Sequence, residues 1–219
     1  MNVKNDQIFA IKQLRKEYLE SPGDLNKIQK DIFSKKECPF LVNNDYVFET
    51  EHCIYFIMKY YVGKDLFNLL KMHKMISEYG VRFYTFQICL AIGYLHENKV
   101  MYRNLKSENI LIDEKGYIGL TDSSSSIIVG EDENKTTFFG TPEFIAPEII
   151  KGSGYNTPAD WWSLGILIYE MCYHETPFYN KNRNIMFKDI CSKEFEFPSN
   201  EKVSFIYSNE LKDLIKRVY

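Results

Sequence analysis

Hydrophobic positions along this chain change their period near residue 65. Ahead of it, short apolar runs at residues 8–11, 46–49 and 53–58 suit strands. Between them Leu25, Ile28, Ile32 and Phe33 fall at helical spacing, and Ser21-Pro22-Gly23-Asp24 supplies a turn and cap ahead of that helix. From Asp65 onward the pattern is mainly helical. Residues 77–98 predict an amphipathic helix, with Phe83, Phe86, Ile88, Leu90, Ile92 and Leu95 set among tyrosines and polar positions. Gly116-Tyr117 then punctuates two short strands at 109–113 and 117–121. A long loop follows over 122–148. Residues 159–173 are apolar on nearly all sides, the pattern of a buried central helix. Neither an internal repeat nor a long linker interrupts the chain. The pattern predicts an α+β protein, a small strand-rich lobe followed by a larger helical one.

Composition narrows the function classes. With 219 residues, 45% of them apolar and 16% aromatic, the chain is long enough to bury a substantial core. Its 27 Lys+Arg against 30 Asp+Glu give a net charge of -3 with the two signs interspersed, so no basic footprint for nucleic acid exists. Five cysteines, Cys38, Cys53, Cys89, Cys172 and Cys191, are odd in number and include no C-x-x-C pair, which reads as reduced thiols in a cytoplasmic protein. The start Met1-Asn2-Val3-Lys4-Asn5-Asp6 lacks an apolar signal region, and the apolar stretch around 164–173 is broken by Glu170 and too short to span a bilayer. A soluble protein with no membrane partner is expected. His52, His73, His96 and His174 form no spaced pair, so zinc is not suggested.

The chemistry sits in ordered motifs. Phe9-Ala10-Ile11-Lys12, Cys38-Pro39-Phe40-Leu41-Val42, Met58-Lys59-Tyr60-Tyr61, Tyr102-Arg103-Asn104-Leu105-Lys106-Ser107-Glu108-Asn109, Asp122-Ser123-Ser124, Gly140 through Glu148 and Asp160-Trp161-Trp162-Ser163-Leu164-Gly165 follow one another along the chain. In that order they resemble the protein-kinase fold, and specifically the AGC group that holds the cyclic-nucleotide-dependent kinases. The resemblance covers nearly the whole chain as one domain, 1–219, with a partial N-lobe over 1–60 and a C-lobe over 61–219. It implies ATP and magnesium as cofactors. Lys12 would bind phosphate. Ala10, Met58, the backbone of Lys59 to Tyr61, Leu111 and Thr121 would line the adenine pocket, with Asp65 near the ribose. Asn109 and Asp122 offer oxygen ligands suited to magnesium, and Lys106 would face the transferred phosphate. Read outside this frame, Asp122 and Asn109 would serve equally as loop caps. Thr137 matches the activation-loop phosphosite, whose phosphate would meet Arg103; Glu131-Asp132-Glu133 would partly mimic that charge or form a solvated acidic loop. Asp65, Glu108 and Glu170 stand where AGC kinases read basic residues, so a basic peptide is the expected substrate class.

The departures from the pattern concentrate on catalysis. Asn104 occupies the place of the catalytic aspartate, and an amide cannot take a proton from a substrate hydroxyl. An ungapped register puts Gln29 where the partner glutamate of the phosphate-binding lysine belongs, so Lys12 is expected to lack its charge partner. Ser123 replaces the phenylalanine of D-F-G, and Asn44 falls where another apolar member of the same stack would sit. Two polar residues there are expected to weaken the packing that sets the active state. Only eleven residues precede Lys12 and no G-x-G-x-x-G exists, while residues 211–219 resemble the start of a late helix; a fragment, an incomplete gene product or a domain completed by a partner would each fit. These features together predict a catalytically impaired, regulatory pseudokinase that binds ATP and magnesium weakly or not at all. A slow but active kinase and a nucleotide-free protein-interaction module are the alternatives.

Overall fold

The computed structural model describes residues 8–18, 25, 28–73, 76–130, 137–198 and 207–218. The expected turn at Ser21 to Asp24 and the acidic run Glu131 to Glu133 lie outside the described residues. Three strands, β1 (Phe9–Arg15), β2 (Asn44–Glu49) and β3 (Cys53–Lys59), form an antiparallel sheet in the order β1-β3-β2. Alternation decides the faces, because successive side chains of a strand point to opposite sides. Ile54, Phe56 and Met58 of β3 turn inward with Leu25 and Val42, and Ala10, Leu14 and Val47 pack against them. The predicted runs of 8–11 and 46–49 prove longer, since pairing continues along β3 through Arg15 opposite Cys53 and through Asn44 opposite Met58.

Beyond the sheet the chain is mainly helical: α1 (Leu66–Met72), α2 (Glu78–Glu97), α3 (Pro147–Lys151), α4 (Pro158–Tyr173), α5 (Arg183–Ser192) and α6 (Asn209–Val218). The long helix α2 begins where Ser77 Oγ accepts from Gly80 N at 3.2 Å, the side-chain cap that a serine supplies to orphan backbone donors. Its buried face carries Val81, Ile88, Ala91, Ile92 and Leu95. Phe86 and Leu90, part of the apolar set that predicted this helix, instead face solvent. Gln87 is buried in their stead, because its Oε1 accepts from Ile118 N at 3.1 Å and its Nε2 donates to Phe83 O at 3.0 Å. Helix α4 is the buried central helix that its composition predicts, with Leu164, Ile166, Leu167, Ile168 and Met171 all in the main core. Among the described residues no helix is long and apolar enough to cross a membrane.

Two small antiparallel pairs carry the loops between the lobes: β4 (Val100–Met101) with β7 (Ile127–Ile128), and β5 (Ile110–Ile112) with β6 (Ile118–Leu120). The predicted long loop of 122–148 is therefore more structured than expected, with β7 and short 3-10 turns at Ser123–Ser125 and Pro142–Phe144. The lobes are laced together by backbone. Val42 N donates to Leu120 O at 2.9 Å and Leu120 N to Phe40 O at 2.8 Å, while Gly63 N donates to Ile112 O at 3.0 Å. A side chain at Gly63 would place its Cβ 2.6 Å from that same carbonyl, so the crossing strand comes this close only because residue 63 is glycine. Leu95 is fully buried in α2 while Leu90 is 44% exposed. In chemical unfolding, Leu95→Ala is predicted to cost about 2–5 kcal/mol and Leu90→Ala about 0.5 kcal/mol or less.

Candidate functional site

The site is built around one buried carboxylate. Asp160, 1% exposed near the start of α4, accepts from Tyr102 N and Arg103 N at 2.8 Å each, and His96 Nε2 lies 2.8 Å from its Oδ2. Those bonds draw the loop after β4 into a turn in which Arg103 has φ 67. A branched or charged residue at positive φ is strained, and fixed partners are what hold it there. Tyr102 is fully buried, and its hydroxyl donates to Thr121 O. Asn109 Nδ2 donates to Asn104 O at 2.8 Å, which leaves the Asn109 carbonyl oxygen as its accepting face. Asp160 belongs to a motif that the sequence marks, yet its anchoring role was missed. The signal was present: an acid inside a helix apolar on all sides must find donors.

Asn104 itself is tied at both ends of its amide. Its Nδ2 lies 3.5 Å from Asp122 Oδ2, and Thr141 Oγ1 donates to its Oδ1 at 3.4 Å. Lys106 stands half-exposed two residues on. Asp122 has φ 56, the left-handed region again. Contrary to expectation, Lys12 does have a charge partner: its Nζ pairs with Asp122 Oδ1 across the cleft, and Ser124 Oγ donates to the same oxygen. Burial works to raise the Asp122 carboxyl, but Lys12, aided by Ser124, outweighs it and holds the group below the usual carboxylate range. The Asp122 carboxylate and the side-chain carbonyl oxygen of Asn109 are hard-oxygen donors of the kind magnesium takes, a metal that uses few protein ligands and completes its shell with water and phosphate.

Gln29 supplies hydrogen bonds in place of a charge. Its segment Gln29–Phe33 is a wide, π-type turn. From it, Gln29 Nε2 donates to Ser123 Oγ and its Oε1 accepts from Asn44 Nδ2. All three side chains are buried. The two polar residues at the expected apolar stack, Asn44 and Ser123, are thus each bonded to Gln29 in one hydrogen-bond chain.

Above this cluster lies the cleft under the sheet. Ala10, Met58, Tyr61 and Leu111 share one apolar cluster, and Thr121 lines the space behind Met58 with Lys12 and Asp122. Lys59 turns outward, its Nζ 5.6 Å from the centre of the Tyr61 ring. The Tyr61 ring packs so closely on β6 that a Cβ at residue 119 would meet it at 2.5 Å, room that Gly119 alone provides. Asp65 caps α1, accepting from Asn68 N at 2.7 Å, so a ribose would share this carboxylate with the helix. Thr137 is exposed, and its carbonyl accepts from Tyr155 OH at 2.6 Å. Arg103 Nε donates to Ser125 O at 2.6 Å, and the guanidinium lies 4.7 Å from the centre of the Phe139 ring. Arg103 and Thr137 line one open cavity with Arg15. On the other side of the loop, burial pushes the Glu170 carboxyl up to about 7; the Ser107 hydroxyl opposes this, while Glu108 and Glu143 add to it.

Site and fold together define the class. The chain belongs to the protein kinase family: the protein kinase domain matches residues 1–219. Within that family its relatives place it in the AGC group of serine/threonine kinases. It is 39% identical over 196 residues to Protein kinase 2 of Dictyostelium discoideum, a match covering 89% of this chain and 41% of that protein. It is 37% identical over 204 residues to the serine/threonine-protein kinase sgk-1 of Caenorhabditis elegans, covering 90% and 43%. With the serine/threonine-protein kinase YPK1 of Saccharomyces cerevisiae it shares 34% identity over 212 residues, covering 95% and 30%. The chain therefore spans less than half the length of these curated relatives.

The Glu170 carboxyl, ordinarily near 4.5, is raised to about 7. Below the ordinary value both the folded and the unfolded chain carry the proton; between the two values only the folded chain does, so stability falls as pH rises through this window. Urea unfolding of Glu170→Gln is predicted to lack this component, so that the stability difference between variant and wild type grows in the variant's favour between about pH 4.5 and 7.

Proposed function

We propose that this chain is an ATP-binding serine/threonine-kinase domain whose phosphoryl transfer is strongly slowed and whose role is regulatory. The observation that carries this reading is Asn104. Its carbonyl accepts from Thr141 and its amino group faces Asp122, so the group in the base position holds geometry but has no basic site for a hydroxyl proton. Loss of general-base catalysis costs roughly 10² to 10⁴ in rate. The nucleotide parts are better kept. Lys12 would contact phosphate, Asp122 and Asn109 would hold magnesium, and Ala10, Met58, Lys59, Tyr61, Leu111 and Thr121 would enclose adenine with Asp65 beside the ribose. Magnesium, when bound, neutralises charge on the phosphates. Lys12 and Asp122, each now the other's counter-ion, would exchange that pair for contacts with the bound nucleotide.

In this reading residues 1–60 and 61–219 act as the two lobes of one domain, cytoplasmic and engaged in signalling. Thr137 is the regulatory phosphosite, its phosphate meeting Arg103. The acid group of Glu170, Glu108 and Asp65 favours an Arg-rich peptide. A guanidinium beside Glu170 would favour its ionised form, so such binding strengthens as pH rises toward 7 and above. The second reading, a slow but active kinase, draws support from the Thr141 contact with Asn104, because phosphoryl transfer depends largely on positioning and charge.

Thermal unfolding against ATP, with and without magnesium, tests the nucleotide site. At a hundred times its dissociation constant the ligand stabilises the fold by about 2.7 kcal/mol. A magnesium-dependent shift that Asp122→Ala abolishes is the expected result; no shift from a folded sample overturns both enzyme readings and leaves the interaction module. Asn104→Asp separates the two enzyme readings in a phosphotransfer assay. A gain of roughly 10² to 10⁴ places the defect at the base. No change would place the defect elsewhere, at Gln29 or Ser123.

A further inference from the structure

Three positions that depart from the kinase pattern, far apart in the chain, meet in one place. Gln29 and Asn44 are separated by 15 residues, and Gln29 and Ser123 by 94. They are 2%, 5% and 8% exposed. An amide has one donating and one accepting end, and both ends of Gln29 are used: the amino group donates to Ser123 Oγ and the carbonyl accepts from Asn44 Nδ2. A carboxylate at residue 29 could only accept, which would force the Ser123 hydroxyl to donate and would bury a charge among neutral partners. The neutral side chain suits neutral partners, and Lys12 is left to Asp122.

Ser123 follows directly on Asp122, whose φ of 56 is strained for a residue with a side chain. The turn is held from both sides. Lys12 and Ser124 grip the Asp122 carboxylate; Gln29 grips the next residue. Phe33, Val42, Phe56 and Met58 stand around the three side chains, and together with Lys12, Asp122 and Ser124 they line a cavity of about 20 Å³, room for one water. A buried polar side chain that loses its partner is costly, so losing one member unsettles the other two.

We propose that Gln29, Asn44 and Ser123 form a neutral positioning chain that locks the Gln29–Phe33 segment and β2 onto the turn at Asp122, setting this carboxylate for metal before any nucleotide arrives. It takes over the work of an apolar stack and an ion pair without a buried charge. The metal half of the inference rests on the nucleotide reading proposed above; the locking half does not.

Two readouts on the whole chain test it. In nucleotide-free protein, the side-chain NH₂ signals of Gln29 and Asn44 are expected to be slow to exchange with water by NMR. Ser123→Ala should release the Gln29 signals with the fold intact, and Ser123→Thr, which keeps the hydroxyl beside a cavity of about 20 Å³, should retain them. Fast exchange in the wild type, or protection of Gln29 that survives Ser123→Ala, overturns the chain. The second readout is the thermal shift with ATP. Ser123→Ala should weaken the magnesium-dependent part about tenfold in Kd while metal-free nucleotide binding is unchanged, with Ser123→Thr near wild type. An equal magnesium response in all three shows mere packing and overturns the positioning role. If the wild type shows no nucleotide shift at all, the proposed function fails, and the amide signals alone decide the lock.

Discussion

The carboxylate of Asp160 is the constraint on which the rest of this structure depends. A buried acid is tolerated only when donors surround it, and here two of the donors are backbone amides of a loop that would otherwise be free to wander. Fixing those amides fixes the left-handed turn at Arg103, the outlook of Asn104 and the position of Asn109. Because Asp160 sits on α4, a helix almost wholly inside the core, the loop is anchored to a buried and rigid element. Function placed on loops generally needs such a scaffold. The anchor acts on backbone, so it persists whatever residue occupies position 104.

That separation explains how the loop keeps its shape with an amide at residue 104. The hydrogen bonds that shape the loop run through main-chain atoms of Tyr102, Arg103 and Asn104, and the side chain of Asn104 adds only its longer contacts to Asp122 and Thr141. Replacing a carboxylate by an amide of nearly the same shape alters chemistry more than architecture. It also places a donor, rather than a second negative charge, beside the Asp122 carboxylate. Like charges in a partly buried cleft raise each other's pKa, so this exchange favours the ionised form of Asp122.

Electrostatics and packing are rearranged together on the other side of the cleft. Where the kinase pattern implies a charge pair from Lys12 to residue 29, the cation instead meets Asp122, and the Gln29–Phe33 turn is tied down by neutral hydrogen bonds. A buried neutral network avoids the desolvation cost of a buried ion pair but is equally intolerant of a missing partner. The three polar residues thus form a unit in which each makes the others admissible.

Much of this was legible in the sequence, and the boundary follows the range of the interactions. Helix α2 was readable from its apolar pattern over 77–98 and the strands from their short apolar runs, because these depend on neighbours within a turn or two of chain. That residue 104 offers no basic site was equally readable, since no environment gives an amide the proton affinity of a carboxylate. Partners across the fold were not readable. Lys12 finding Asp122, Gln29 lying between Ser123 and Asn44, Gln87 turning inward while Phe86 turned out, and Asp160 gathering the loop are all contacts between residues distant in sequence. Residue type limits what each side chain can bond; only the packed tertiary structure decides which of the eligible groups comes within reach.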